Sequence, residues 1–140
     1  MHFHQQGNSG VLFALMHPRL QRVADKAADM GYEFQIIVSY RSPEQQLAAY
    51  KAKRSAFDGF KRKGAHNFNP SRAFDFIAHP FGGWNDIPQF RSGGHIFNAA
   101  ATLIGDNVTW GGDWNDNGSE ADEHGLRDFD HIELTNWRLF

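Results

Sequence analysis

Two short segments carry residue types that bind metal ions. His66 and Asp75 stand nine positions apart, and His131 follows Asp128 near the carboxyl end of the chain. Two imidazoles and one carboxylate hold zinc with its fourth position left for water, which is the composition of catalytic zinc sites. Zinc held in this way lowers the pKa of bound water to about 7 and polarises a carbonyl group. The residues favour metal-assisted hydrolysis, the alternative being that each histidine is only packed or hydrogen-bonded.

The composition excludes several other kinds of site. The chain has 140 residues and no cysteine, which rules out disulfides, thiolate zinc sites and cysteine nucleophiles. A formal net charge of −2 argues against nucleic acid as the principal partner. The longest apolar runs are far shorter than a membrane span, so we expect no membrane insertion. The length predicts one domain, residues 1–140.

The elements that must position these residues are helices and short strands. Helical periodicity, a proline start and a glycine stop predict a helix from Pro18 to Met30. A capping serine predicts another from Pro43 to Arg54, and a third is expected from about Pro88 to Ile104. Strands are expected at Phe34 to Val38, Ala73 to Ala78, about Thr109 to Gly111, and His131 to Thr135. We therefore predict an α+β fold, with a small antiparallel sheet carrying the zinc site on one face and helices packed around it.

The motifs together resemble a known family. They are H-N-x-x-P-S-x-A-x-D from His66, W-G-G-D-W from Trp110, and D-x-x-H-x-E from Asp128. With H-P-x-L at 17–20 and Y-R-S-x-E-Q-Q at 40–46, the similarity spans nearly the whole chain. The sequence resembles the LAS metallopeptidases, which include lysostaphin, D-Ala-D-Ala carboxypeptidase and hedgehog, and especially phage endolysins of the L-alanyl-D-glutamate peptidase type. The first motif departs from the commoner S-x-H-x-x-G-x-A-x-D by two added residues and by Gly64 in place of serine.

The resemblance implies roles for matching residues. It implies three zinc ligands, namely His66, Asp75 and His131. It implies that Asp128, three positions before the last ligand, is the general base, with Asp130 as the local competitor. Arg41 stands where relatives bind the substrate carbonyl as its oxyanion develops, and a structural salt bridge is the alternative for this side chain.

The implied activity is hydrolysis of the L-Ala-D-Glu bond of peptidoglycan stem peptides by a zinc-dependent phage or prophage endolysin. Three alternatives stay open: a D-Ala-D-Ala carboxypeptidase or dipeptidase, a cell-wall-binding zinc domain without turnover, and a calcium-regulated binding protein. We expect peptidoglycan as the partner and a monomer. The amino terminus lacks the pattern of a signal peptide, so we expect residence in the host cytoplasm until lysis.

A second ion is predicted in the acidic segment that follows the W-G-G motif. Its spacing matches the first half of a calcium loop, but His124 stands where a bidentate glutamate is expected. The candidate calcium ligands are Asp113, Asn115, Asn117, Ser119, Asp122 and Glu123. A simple hairpin turn is the alternative. Trp114 is a candidate for lining the substrate groove, with ordinary packing as its alternative.

Charge is distributed unevenly along the chain. Between positions 51 and 63 six cations face Asp58 alone, namely Lys51, Lys53, Arg54, Lys61, Arg62 and Lys63. Positions 106 to 133 contain nine acidic residues and one basic residue, Arg127. The basic segment is either a solvated surface or a contact with an anionic polymer such as the cell wall.

Overall fold

The computed structural model describes residues 2–55, 57–118 and 127–139. Within these ranges the helices are α1 (Asn8–Ala14), α2 (Pro18–Asp29), α3 (Pro43–Lys51) and α4 (Ile87–Leu103). The strands are β1 (Phe34–Val38), β2 (Ala73–Ala78), β3 (Val108–Trp110) and β4 (His131–Leu134). Short 3-10 turns lie at Phe3–Gln5, Ala65–Asn67 and Trp137–Leu139. No helix in the described ranges is long and apolar enough to span a membrane.

The strands form one antiparallel sheet in the order β1-β2-β4-β3. In the register of β2 and β4, Asp75 pairs with His131 and Ala73 with Glu133. Residues directly opposite each other in an antiparallel pair project from the same face, so the sheet itself brings Asp75 and His131 together. The predicted α+β class with a small antiparallel sheet is confirmed.

Local sequence signals explain where most helices begin. Pro18 opens α2, whose first turn is capped by the His17 ring as it accepts the Arg19 amide at 3.1 Å. Ser42 and Gln45 form a reciprocal capping box at the start of α3. Both starts agree with the sequence prediction. The predicted end of α3 at Arg54 is wrong, because the helix ends at Lys51 and Lys53 adopts a φ of 61° that a continuing helix excludes.

Helix α4 carries two adjacent glycines for a steric reason. A Cβ on Gly93 would collide with the Phe76 ring, and one on Gly94 would collide with Trp110. The helix therefore lies closer to the sheet than one with side chains at these positions could. Both glycines lower the helical propensity of this segment, but their lack of a side chain allows α4 to contact the core.

The core lies between the sheet and the helices α2 and α4. Its largest fully buried side chains include Phe34, Phe74, Phe76, Phe97 and Trp110. The Phe97 ring makes edge contacts with Phe34, Phe74 and Phe76 at centroid distances of 4.9 to 5.1 Å. Because Phe74 and Phe76 point into this core, Asp75 between them points to the opposite face of the sheet.

Helix α1 is absent from the sequence prediction, which assigns no element before Pro18. The hydroxyl of Ser9 accepts the Ile36 amide at 2.6 Å and donates to the Ile36 carbonyl at 3.1 Å. The hydroxyl thereby provides hydrogen-bond partners for the Ile36 amide and carbonyl of β1, which is an edge strand of the sheet. A helix of seven residues with a glycine inside it forms through such tertiary contacts rather than through its own periodicity.

Candidate metal centre

Two nitrogen atoms and one oxygen atom meet on the face of the sheet opposite the hydrophobic core. His66 Nε2 lies 3.1 Å from Asp75 Oδ1 and 3.1 Å from His131 Nδ1, and the last two atoms are 3.2 Å apart. Zinc ligands at bond lengths of about 2.0 to 2.1 Å and tetrahedral angles lie about 3.3 Å from one another. The three atoms therefore fit a zinc-sized cation with only small adjustment. All three residues are buried.

His66 reaches this point from a turn instead of a strand. It lies in the 3-10 turn Ala65–Asn67, where Asn67 Oδ1 accepts the Gly64 amide at 2.8 Å. The ring Nδ1 donates to the Ser39 carbonyl at 2.7 Å, which leaves the lone pair of Nε2 directed toward the other two ligand atoms. The carbonyl that follows β1 thus selects the tautomer that metal binding needs.

His131 is held by a second pair of side chains. Its Nε2 donates to Glu133 Oε1 at 2.8 Å, and Glu133 Oε2 accepts the indole N–H of Trp137 at 2.7 Å. Trp137 is 4% exposed, so the end of this chain of hydrogen bonds is itself immobilised by packing. An imidazole oriented by a carboxylate on its far nitrogen is the common arrangement around metal-binding histidines.

The electrostatics of the cluster favour positive charge at its centre. Burial by itself raises the pKa of Asp75, but attraction to the imidazoles of His66 and His131 outweighs it and holds that pKa well below its usual range. Burial lowers the pKa of His131, yet hydrogen bonds to Asp75 and Glu133 outweigh this and raise it well above its usual value. A divalent cation would take the place of the proton that the cluster otherwise attracts.

Asp128 stands beside this triangle at its solvent side. Its Oδ2 lies 3.9 Å from His131 Nδ1, and its side chain is 40% exposed. The backbone of Gly111 approaches it so closely that a Cβ on Gly111 would collide with the Asp128 carbonyl. The W-G-G motif therefore holds the segment before β4 in place. Asp128 is near enough to act on a molecule bound at the triangle and open enough to meet one that enters from solvent.

The competing carboxyl, Asp130, is in a different environment. Burial raises the pKa of Asp130 to about 10, and the charges of Asp75 and of its hydrogen-bond partner Asp128 act in the same direction. Burial thus disfavours the charged form of Asp130, whereas the more exposed Asp128 can meet a water molecule that enters from solvent. This difference favours Asp128 over Asp130 for proton transfer.

Comparison with known proteins gives the chain its family. The model of the phage L-alanyl-D-glutamate peptidase family matches residues 1–135. The chain belongs to this family. The L-alanyl-D-glutamate peptidase of Escherichia phage T5 is 32% identical over 132 residues, which cover 91% of this chain and 94% of that protein. The crystal structure of the Serratia marcescens L-Ala D-Glu endopeptidase ChiX has the same fold, with a TM-score of 0.67 and 24% identity over 92% of this chain and 87% of that one. The resemblance drawn from the motifs is confirmed at the level of the family.

Arg41, in the Y-R-S-x-E-Q-Q motif, lies against the turn that carries His66. Its amide donates to the His66 carbonyl at 2.8 Å, and its Nη1 donates to Gln46 Oε1 at 3.2 Å. Among the described residues no carboxylate lies within ion-pair distance of the guanidinium. The described residues therefore offer Arg41 no salt-bridge partner. The neutral side-chain amide of Gln46 orients the guanidinium instead.

The tryptophans separate into packing and site residues. Trp110 is fully buried in the core. The Trp114 ring is half-buried, and its centroid lies 5.5 Å from that of His131. Trp114 therefore borders the candidate metal centre, as a residue lining the peptidase groove would.

The segment predicted to bind calcium is only partly described. Asp113 is 3% exposed, and its carboxylate accepts the amides of Asn117 at 3.3 Å and Gly118 at 2.7 Å. Asn115 and Asn117 are exposed. The remaining candidate ligands, Ser119, Asp122 and Glu123, lie outside the described residues. In the described part of the loop, the Asp113 oxygens bind the loop's own backbone.

Three residues of the site have no role in the sequence analysis. Glu133 and Ser39 orient the two imidazoles, and Gln46 holds Arg41. The spacing H-x-E in a strand does carry a signal for Glu133, because residues two apart lie on the same face. Ser39 acts through its backbone carbonyl, which leaves no side-chain signal, whereas Gln46 ends the Y-R-S-x-E-Q-Q motif, five positions after Arg41.

Proposed function

We propose that the chain is a zinc-dependent endopeptidase that hydrolyses the L-Ala-D-Glu bond of peptidoglycan stem peptides, acting as a phage or prophage endolysin. The observation that carries the proposal is the triangle of His66 Nε2, Asp75 Oδ1 and His131 Nδ1 in a member of the phage L-alanyl-D-glutamate peptidase family. The 32% identity to the phage T5 enzyme, which extends over most of both chains, supports the same bond as the target.

Zinc is the proposed metal because of the chemistry of the donors. Two imidazole nitrogens and one carboxylate oxygen suit zinc better than calcium or magnesium, which prefer oxygen ligands. His66, Asp75 and His131 would hold the ion, with Ser39 and Glu133 orienting the imidazoles. When bound, zinc supplies Lewis acidity at the substrate carbonyl and lowers the pKa of water in its open position.

Asp128 is the proposed general base. Its carboxylate takes a proton from the attacking water and returns it to the leaving amine of D-Glu, so that one residue serves both halves of the reaction. The 3.9 Å distance from Asp128 Oδ2 to His131 Nδ1 and the 40% exposure of the side chain support this role. Asp130 is assigned no proton transfer.

Arg41 and Trp114 are the proposed substrate contacts. The Arg41 guanidinium, oriented by Gln46, donates to the substrate carbonyl oxygen as negative charge develops there. The Trp114 ring beside His131 forms one wall of the groove and excludes water from the peptide.

Calcium binding by the 113–123 segment stays a prediction, supported by the acid-rich spacing of the loop. We further propose that the enzyme is a monomer, that it resides in the host cytoplasm until lysis, and that it then acts on the cell wall. The dependence of activity on calcium is tested together with the activity itself.

The deciding experiment is mass spectrometry of the soluble products released from purified Gram-negative peptidoglycan by the zinc-loaded chain, with and without calcium. Stem peptides with a new amino-terminal D-Glu are expected, and the Asp128→Ala variant should release none above background. Loss of only a terminal D-Ala would replace the proposal with a carboxypeptidase. If the polymer stays intact in every condition while a control lysin digests the same preparation, the chain is not an endopeptidase that acts on this type of peptidoglycan.

A further inference from the structure

A concentration of positive charge lies just before the metal-centre turn in the sequence. We define the basic face as the six cations Lys51, Lys53, Arg54, Lys61, Arg62 and Lys63, all of which are exposed. None of the six has a carboxylate within ion-pair distance among residues 2–55, 57–118 and 127–139. In a chain of net charge −2, this concentration of cations is a local property that the proposed catalytic chemistry does not use.

The one acidic residue within the segment, Asp58, offsets only part of its positive charge. Asp58 Oδ1 accepts the backbone amides of Phe60 at 3.0 Å, Lys61 at 2.9 Å and Arg62 at 2.9 Å. These bonds, led by that from Arg62, lower the pKa of Asp58. The carboxylate is used to shape the turn that presents the cations.

The basic face is joined to the candidate active site through Gln46, which is 2% exposed. Gln46 Nε2 donates to Ser55 Oγ at 2.7 Å and to the Phe57 carbonyl at 2.8 Å, both in the basic segment. Its Oε1 accepts from Arg41 at 3.2 Å and from Asn67 at 3.4 Å, both beside His66. One buried amide thus fixes the basic segment relative to the proposed oxyanion donor and the metal-centre turn.

We propose that the basic face is an extension of the substrate site that binds the carboxylates of neighbouring stem peptides on the peptidoglycan polymer. The inference rests on the proposed function. D-Glu linked through its side-chain carboxyl keeps a free α-carboxylate, and each stem peptide also ends in a carboxylate, so the polymer presents repeated negative charges. Single exposed contacts are weak and screened, but several cations facing a repeating anion act together.

The surroundings of the basic face favour a polymer over a membrane. Phe60, which is 56% exposed, is the one exposed large apolar side chain among the described residues of positions 51–63. Insertion into a bilayer interface needs a broader apolar face than a single ring. Continuity with the candidate active site, through Gln46 and through the short step from Lys63 to His66, fits an extended substrate.

The test compares two double variants that each remove two positive charges. Lys61→Gln with Lys63→Gln alters the basic face, and Arg22→Gln with Lys26→Gln alters α2 as the matched control. Both are made in an Asp128→Asn background so that the polymer is not digested, and binding to purified sacculi is measured by co-sedimentation over a series of salt concentrations. At low salt the basic-face variant should bind about tenfold more weakly, whereas the control should bind as the parent does. The difference should disappear at about 1 M salt, where screening is strong.

Two further measurements, and one possible outcome of the comparison itself, fix the meaning of that result. Converting the sacculus carboxyls to amides should reduce parent binding at least to the level of the basic-face variant, and unchanged binding would overturn the proposal. Equal losses in both double variants would overturn the proposal in favour of net charge alone. Loss of binding to phosphatidylglycerol vesicles with unchanged binding to sacculi would overturn it in favour of a membrane contact.

Cleavage assays distinguish a failure of this proposal from a failure of the proposed function. With Asp128 restored, the basic-face variant should cleave a soluble stem peptide at the parent rate and intact sacculi more slowly. A parent that cleaves neither substrate would contradict the proposed function, while the binding comparison would still decide the role of the basic face.

Discussion

The metal centre and the acidic loop at 113–118 both matched ion-binding patterns in the sequence, but their side chains are used differently. At the metal centre, ligand atoms from a turn and two strands meet at 3.1 to 3.2 Å, and the second nitrogen of each imidazole already has a partner. In the acidic loop, the Asp113 carboxylate binds amides four and five residues ahead of it. Ligands that converge from distant parts of the chain are costly to assemble without a cation, whereas a local acidic turn can satisfy itself.

The largest difference between the two regions is expected when a metal ligand is removed. His131→Ala should abolish bound zinc and peptidase activity, because two remaining ligands do not hold the ion. Asp113→Ala should leave the zinc content unchanged. Metal analysis of the purified variants measures both, and full zinc content in His131→Ala would show that the triangle is not the zinc site.

Removing the proposed base should separate chemistry from metal binding. Asp128→Ala should lower kcat by about 10² to 10⁴ with zinc retained, since a general base contributes about that much. Asp130→Asn, which keeps a hydrogen-bond donor beside Asp128, should lose far less. Steady-state kinetics on a soluble stem peptide tests the pair, and the reverse order of effects would assign the base to Asp130.

The hydrogen bonds behind His131 should contribute a smaller effect. Glu133→Gln should weaken zinc binding by about 10 to 100-fold, because the amide orients the imidazole less strongly than the carboxylate does. Trp137→Phe, which removes the indole N–H but keeps an aromatic ring, should act in the same direction and less strongly. Competition with a chromogenic chelator gives the affinities, and unchanged values in both variants would limit Glu133 to a packing role.

The effect expected in the acidic loop is on stability alone, with zinc binding and catalysis unchanged. Asp113→Ala should lower the free energy of unfolding by about 1 to 3 kcal/mol, since the two amides it satisfies lose a charged acceptor. If the predicted calcium site forms, calcium should raise the melting temperature of the parent but not that of Asp113→Ala. Thermal unfolding with calcium and with a calcium chelator measures both. The same calcium shift in the variant would remove Asp113 from the set of candidate ligands.

Most of the fold was predictable because it follows from local rules. Proline starts, the Ser42 cap and strand-length apolar runs located α2, α3, α4 and all four strands to within a few residues. Helix α1 and the end of α3 were missed. The first depends on hydrogen bonds between Ser9 and Ile36, and the second on a backbone turn at Lys53, so neither has a periodic signal.

The sequence by itself determined which side chains are available to the site and some of their directions. Strand alternation places His131 and Glu133 on one face, and the family motifs single out His66, Asp75 and Asp128. Only the tertiary structure decided which nitrogen of each imidazole faces the centre. It also decided how Gln46 orients Arg41 and that the Asp113 oxygens turn back to their own loop. The physical reason is that a hydrogen-bond partner fixes a tautomer or a rotamer, and the partners of His66 and Arg41 come from other elements of the fold.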